Sequence, residues 1–203
     1  LSSNPRKLLT EEQHNLIIGS LLGDASVRQR KKNCSFRVAH SKKQEGYLIW
    51  KSNILSEFGQ KNLQRYKKTL NNRTLITIEF STITHSVFNY YRDLFYKYGK
   101  KVVTEEILKL LNPQSLAIWT CDDGSYDTKQ RYIVLCTNCY SLKEHETMKN
   151  YFNEVWDLNP TIGFRDNKYY YLRFIQNDTH KLIKIIKPFI PNSMLYKIGG
   201  QNG

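Results

Sequence analysis

The chain has 203 residues, 40% hydrophobic, 13% aromatic and 24% charged. These are the proportions of a folded domain with its own core, and they exclude a disordered chain and a disulfide-stapled miniprotein. Its 31 Lys and Arg against 18 Asp and Glu leave a formal charge of +13, an excess whose self-repulsion is usually kept for a polyanionic partner, nucleic acid before acidic small molecules. No window approaches the roughly 18 to 20 apolar residues of a spanning helix, so no membrane partner is expected.

A short helix comes first, in residues 16–25 (LIIGSLLGDA). Residues 27–40 (VRQRKKNCSFRVAH) then read as a β-hairpin. In residues 42–58, Tyr47, Trp50, Ile54 and Phe58 recur at helical spacing, with Gly59 as the stop. A second hairpin in residues 61–80 turns at Asn71-Asn72, and alternation puts Thr74, Ile76, Ile78 and Phe80 on a core face. Residues 84–98 form a third helix ending at Gly99, and Lys100-Lys101 opens a connector.

The order then repeats. Pro113 begins a helix that Gly124 stops. Extended segments at 125–128 and 131–137 follow, and Ser141 with Glu144 forms a capping box for a helix to Trp156. A hairpin spans 161–165 and 169–175, turning at Asp166-Asn167, and a last helix, 178–186, stops before Pro188. Such a duplication builds a pseudo-symmetric surface suited to duplex symmetry. The charge is unequally shared: residues 1–100 carry 18 Lys and Arg against 7 acids, the remainder 13 against 11.

Four cysteines in a chain of this size do not suggest a disulfide framework and read as reduced thiols of an intracellular protein; Cys136-Thr137-Asn138-Cys139 supplies half a zinc site with no second half, and its thiols fit a strand. No charged segment followed by an apolar one opens the chain, and its first residue is Leu1, which leaves room for an upstream segment.

Each half opens with a helix that ends in an acid, Asp24 in the first and Asp122-Asp123 in the second. Gly19 and Gly23, and Ala117 and Cys121, put small residues four apart, where two helix backbones can approach closely. Packed together, the helices bring their acids to one end, at the negative pole of each dipole, where a divalent metal relieves both the dipole and the carboxylate repulsion.

These paired segments, IIGSLLGDA and LAIWTCDDG, resemble the two signature motifs of the LAGLIDADG homing endonucleases, and the likeness covers residues 8–197 in the order of the single-chain, two-motif members. The resemblance implies an α+β fold of two αββαββα halves, 1–103 and 104–203, whose sheets form a saddle over DNA with the motif helices at the interface. It implies a monomer that cuts one phosphodiester per strand with Mg²⁺ or Mn²⁺, leaving short 3′ overhangs in a long asymmetric double-stranded site. Asp24 and Asp123 fall on the catalytic metal ligands. Gly23 and Asp122 fall on the preceding positions, whose backbone carbonyl tends to face the metal. Lys101 and Lys197 fall on the two active-site lysines. Ile118 stands where a small residue is usual, and Ala25 replaces the terminal glycine of the first motif.

The hairpins nominate Arg28, Arg30, Arg37, Lys61, Arg65, Lys67 and Arg73 in the first half, and Lys129, Arg131, Arg165, Lys168 and Arg173 in the second, for DNA contact, since a two-stranded ribbon fits the major groove. Two rival readings share the fold: an intron RNA maturase and a catalytically silent DNA-binding protein. Seventeen Asn, fourteen Tyr and three Ala imply AT-rich coding, which points to a mitochondrion or another organelle.

Overall fold

The computed structural model describes residues 8–59, 63–70 and 73–200. Helix α1 (Glu11–Leu22) starts at a capping box between Thr10 and Gln13, and every residue from Gln13 to Leu22 is buried. A helix covered all round has no polar stripe, and it forms the spine of the molecule. Strands β1 (Ser26–Arg30) and β2 (Asn33–Ser41), helix α2 (Glu45–Ile54), strands β3 (Gln64–Leu70) and β4 (Arg73–Ser81) and helix α3 (Val87–Phe95) complete the first half.

A miniature hairpin, β5 (Tyr96–Lys97) and β6 (Lys100–Lys101), and one turn of helix, α4 (Glu105–Leu108), lead to the second half. There α5 (Pro113–Asp123), β7 (Gly124–Asp127), β8 (Tyr132–Leu135), α6 (Leu142–Trp156), β9 (Thr161–Arg165), β10 (Tyr169–Phe174) and α7 (Gln176–Ile186) repeat the order, and a 3-10 segment, Asn192–Ile198, follows. The two four-stranded antiparallel sheets have the same strand order, β1-β2-β4-β3 and β7-β8-β10-β9. One continuous core joins them, from Val27, Phe36 and Ile78 through Leu16 and Trp119 to Leu172 and Phe174.

Helices α1 and α5 pack at the centre, and the close approach centres on the two glycines of α1. A Cβ at Gly19 would lie 2.3 Å from the Ser115 carbonyl oxygen, and one at Gly23 would lie 2.5 Å from the Asp122 Cβ. The unusual Ile118 is accommodated because Gly19 opposite it has no side chain: the same Cβ would stand 2.8 Å from that of Ile118.

Several elements differ from the sequence expectation. In α2 the buried residues are Tyr47, Leu48 and Lys51, while Trp50 and Ile54 are half-buried; the stripe is rotated because Lys51 has a buried partner. The expected single helix is broken at Leu55 into α2 and a 3-10 turn, Ser56–Phe58, which Gly59 stops before bridging to Thr82. In β4 only Ile78 and Phe80 of the expected set are buried, Ile76 is half-buried and Thr74 exposed, because the far end of the β3–β4 ribbon projects beyond the core. The third helix covers only Val87–Phe95: His85 is bridged to Cys34 at the start of β2, and Tyr98 and Gly99, with φ of 50° and 77°, make the tight turn of the β5–β6 hairpin. Strand β8 ends at Leu135, so the Cys136 to Cys139 segment lies beyond it. The Asp166-Asn167 turn has φ of 55° and 50°, and the Ser141–Glu144 capping box is formed.

Candidate active site

The C-terminal ends of α1 and α5 emerge side by side, Asp24 just past the Gly23 cap of the first and Asp123 as the last residue of the second. Two lysines approach them in the same manner. Lys101 Nζ, carried by the β5–β6 hairpin, donates to the carbonyls of Gly23 (2.9 Å) and Ala25 (2.8 Å), which flank Asp24. Lys197 Nζ, carried by the 3-10 segment that Met194 and Ile198 anchor in the core, donates to the carbonyls of Asp122 (3.4 Å) and Gly124 (2.7 Å), which flank Asp123. Each lysine serves the negative end of a helix, where a cation is favoured, and leaves the carboxylate itself free of an ammonium partner among the described residues.

The acids differ in their surroundings. The Asp24 side chain is 43% exposed, and one of its oxygens lies 3.3 Å from His40 Nδ1. Burial alone would raise its pKa, but the hydrogen bond from His40, with Lys51 and Lys197 beyond, outweighs that and holds it below the usual value. Asp123 accepts from its own helix, through Trp119 Nε1 at 3.2 Å. Burial first, and then the charges of Asp24 and Asp122, push its pKa to about 8 against the weaker pull of Trp119 and Lys101. Burial also lowers Lys101, although Cys139 and the three acids oppose it. Asp123, crowded by like charge and with no ammonium bonded to it among the described residues, is a site where a divalent ion fits by charge and donor type.

Asp122 does something the sequence did not suggest. Its carbonyl faces Lys197, but its carboxylate turns into the first half and is fully buried. Lys51 Nζ, itself fully buried, donates to both oxygens at 2.6 and 2.9 Å, and the Tyr47 hydroxyl donates to one of them at 2.9 Å. Asp24, His40 and Asp122 could otherwise hold a metal, since one ligand atom from each lies within 4.8 Å of the others; Lys51 already supplies the cation there. On the other side of the interface, the Tyr140 hydroxyl donates to the Leu22 carbonyl at 3.0 Å. Lys51 was legible in outline, because it stands one helical turn from Tyr47 on the buried stripe; His40 and Tyr140 carried no sequence signal.

The open faces of the two sheets flank this centre. On the first, Arg28, Arg30 and Arg37 share a cleft of about 250 Å³ with Gln64, Tyr66, Glu79 and Ser81. Arg37 is held by the buried Glu79. Strand alternation puts Arg65 and Lys67 on the opposite face, and Arg65 pairs there with Glu45 at 2.6 Å. Gln64, Tyr66 and Lys68 lie on the cleft side and had not been singled out. Lys61 and the Asn71-Asn72 turn lie outside the described residues, and of Arg73 only the backbone, in β4, is described.

On the second sheet, Arg165 and Arg173 share the open face with tyrosines. Arg173 lies over the Tyr132 ring, 5.7 Å from its centroid, and Arg165 donates to the Asn138 side chain at 3.3 Å. Lys129 and Arg131 sit in the β7–β8 turn at the outer rim, and Lys168 in the β9–β10 turn, 5.0 Å from the Tyr169 ring centroid. Among the described residues no helix is long and apolar enough to cross a membrane.

The family model described as the LAGLIDADG DNA endonuclease family matches residues 14–182. The chain belongs to that family. Among curated relatives, the cytochrome b mRNA maturase bI2 of Debaryomyces hansenii is 32% identical over 97% of this chain and 77% of its own length. The probable intron-encoded endonuclease 1 of Wickerhamomyces canadensis is 28% identical over 94% of this chain and 85% of its own. The chain spans about half the length of the mycobacterial RecA proteins it also matches, 48% in that of Mycobacterium gastri. Among solved structures, the homing endonuclease I-WcaI bound to its DNA recognition sequence superposes with a TM-score of 0.86 at 24% identity, over 94% of this chain and 87% of that one. The fold is therefore that of the LAGLIDADG homing endonucleases, two αββαββα halves with antiparallel sheets.

Proposed function

We propose that this LAGLIDADG endonuclease cleaves a specific double-stranded DNA site, hydrolysing one phosphodiester per strand at two related centres, Asp24 with Lys101 and Asp123 with Lys197. The observation that carries this reading is the repetition of one arrangement: a carboxylate at a helix C-terminus, with a lysine bonded to the carbonyls on either side of it. A structural helix end needs no such repetition. Asp24 and Asp123 hold the divalent ion, and the carbonyls of Gly23 and Asp122 retain a second lone pair with which to join them. Bound Mg²⁺ or Mn²⁺ supplies polarisation of the scissile phosphate and a water of lowered pKa.

Each lysine uses two of its three protons on carbonyls and keeps one for a phosphate oxygen or a water. Its position, fixed by two hydrogen bonds, keeps a positive charge where negative charge develops during phosphoryl displacement. The open sheet faces hold the duplex, with Arg28, Arg30 and Arg37 on one side and Arg165 and Arg173 on the other, and the turn residues Lys129, Arg131 and Lys168 reach phosphates. The products carry short 3′ overhangs, and the protein acts as a monomer. AT-rich coding and a relative named for cytochrome b mRNA support an organellar setting.

The relative that is named a maturase is 32% identical, which keeps RNA binding as the second reading. Selection on a randomised duplex library with Mg²⁺ decides between them. Wild type is expected to release cut duplexes of one consensus, and Asp24→Asn and Asp123→Asn to bind the same duplexes with cleavage lost in at least one strand. Wild type that binds a duplex and never cuts it overturns the nuclease reading.

A further inference from the structure

The two centres are oriented by different side chains, His40 at Asp24 and Trp119 at Asp123, and only one of the devices spans both halves of the molecule. Asp122 and Gly23 face each other across the helix pair. One has a side chain and the other has none, so a carboxylate crosses the interface in one direction only. It meets Lys51, and Lys51 in turn lies 3.3 Å from His40 Nε2. An ammonium has three protons and no lone pair. Two go to the oxygens of Asp122, and the third points at His40, whose Nε2 must then be the acceptor. That leaves the imidazole proton on Nδ1, the nitrogen 3.3 Å from Asp24. Every member except Asp24 is buried: Lys51 and Asp122 have fully buried side chains, and that of His40 is 1% exposed. The His40 ring is further held 5.1 Å from the Tyr47 ring.

We propose that His40 is the positioning residue of the Asp24 centre, its tautomer set by the buried Lys51–Asp122 pair, so that it governs the cutting of one DNA strand and leaves the other to Asp123 and Trp119. The inference rests on the two-centre nuclease reading. A histidine whose far nitrogen is fixed by a buried partner aims its near one. Trp119 does the corresponding work for Asp123 from within the same helix, and it is immobilised by stacking on Phe152.

The test uses a duplex of the selected site with a different fluorophore on each strand. His40→Leu, which keeps the bulk of the ring, is expected to slow one strand roughly 10- to 100-fold, the usual effect of losing a partner that orients a metal ligand, and to accumulate a nicked intermediate. His40→Asn, whose amide can stand in for the Nδ1 proton, recovers much of that rate. Trp119→Phe accumulates the opposite nick. In the free protein at pH 8, the imidazole nitrogen-15 spectrum shows His40 protonated at Nδ1 and unprotonated at Nε2. The inference is overturned by a proton on Nε2, by equal slowing of both strands in His40→Leu, or by the same strand being nicked in both variants. If wild type cuts nothing, it is the nuclease reading that fails; if wild type cuts and His40→Leu slows both strands alike, only the role of His40 fails.

Discussion

Replacing Lys51 by methionine removes the cation from a carboxylate that has no access to water. The Lys51 and Asp122 side chains are both fully buried, and the Asp122 carboxylate is held by the Tyr47 hydroxyl and the Asp24 amide as well as by Lys51. Breaking a buried pair from one side costs about 3 to 5 kcal/mol, because the remaining charge is stranded. At roughly 2 to 4 °C per kcal/mol for a chain of this size, the midpoint of thermal unfolding should fall by about 6 to 20 °C. Asp122→Leu alone strands the ammonium and should cost a similar amount.

The double variant, Lys51→Met with Asp122→Leu, exchanges the pair for apolar groups of similar volume and, besides the pair itself, loses the hydrogen bonds of Asp122 with Tyr47 and the Asp24 amide and that of Lys51 with His40. It should recover most of what either single variant loses, since no charge is left stranded and apolar groups of similar volume often replace a buried pair at little cost. Urea unfolding of the four proteins in chelator, with the coupling energy read from the cycle, measures this directly. Single variants that lose less than about 1 kcal/mol, or a double variant no more stable than either single one, would show that water or another group compensates Asp122 and would refute the account of the interface.

Gly19→Ala should destabilise by about 1 to 3 kcal/mol despite the better helix propensity of alanine, because its Cβ has no room against the Ser115 carbonyl; a neutral or stabilising result in a thermal melt would mean that the helices can separate at no cost. The pKa of Asp123 in the folded chain, about 8, lies above its ordinary value of 3.8, so the folded state binds the proton better. Its contribution to stability is complete below pH 3.8 and is lost as pH rises through 8. In chelator, wild type should therefore lose stability relative to Asp123→Asn between pH 5 and pH 9, and saturating Mg²⁺ should abolish the difference; a difference that grows in favour of wild type contradicts the site. Arg28→Gln with Arg30→Gln should flatten the dependence of DNA affinity on salt by about one unit of slope per lost phosphate contact, whereas Arg65→Gln with Lys67→Gln, on the far face of the sheet, should leave it nearly unchanged. Equal slopes for the two pairs would place DNA on both faces.

Much of the architecture was legible because it is local. The Asp166-Asn167 turn, the Ser141–Glu144 cap and Pro113 at the start of α5 are settled within a few residues by backbone conformation and by which group can reach an orphan amide. Where the reading slipped, the deciding partner was distant in sequence. The α2 stripe turned because Lys51 meets Asp122, 71 residues away. The third helix began late because His85 is bound to Cys34, and it ended early because a hairpin was needed to bring Lys101 to Gly23. Arg65 and Lys67 were counted with the other basic residues because composition has no sides. Only strand register with β4 separates them from Gln64, Tyr66 and Lys68.

By itself the sequence determined that the molecule is made twice, that each copy ends a close-packing helix in an acid, and that the surface favours a polyanion. Periodicity, small residues at fixed spacing and net charge are properties of the chain read in order. The tertiary structure decided that the copies are not equivalent. Where α1 and α5 meet, glycine on one side and aspartate on the other send a single carboxylate across the interface, and a buried lysine and histidine receive it. No local pattern encodes that asymmetry, because it exists only when residues 23, 40, 51 and 122 share one desolvated space, where an unmatched charge is too costly to leave alone.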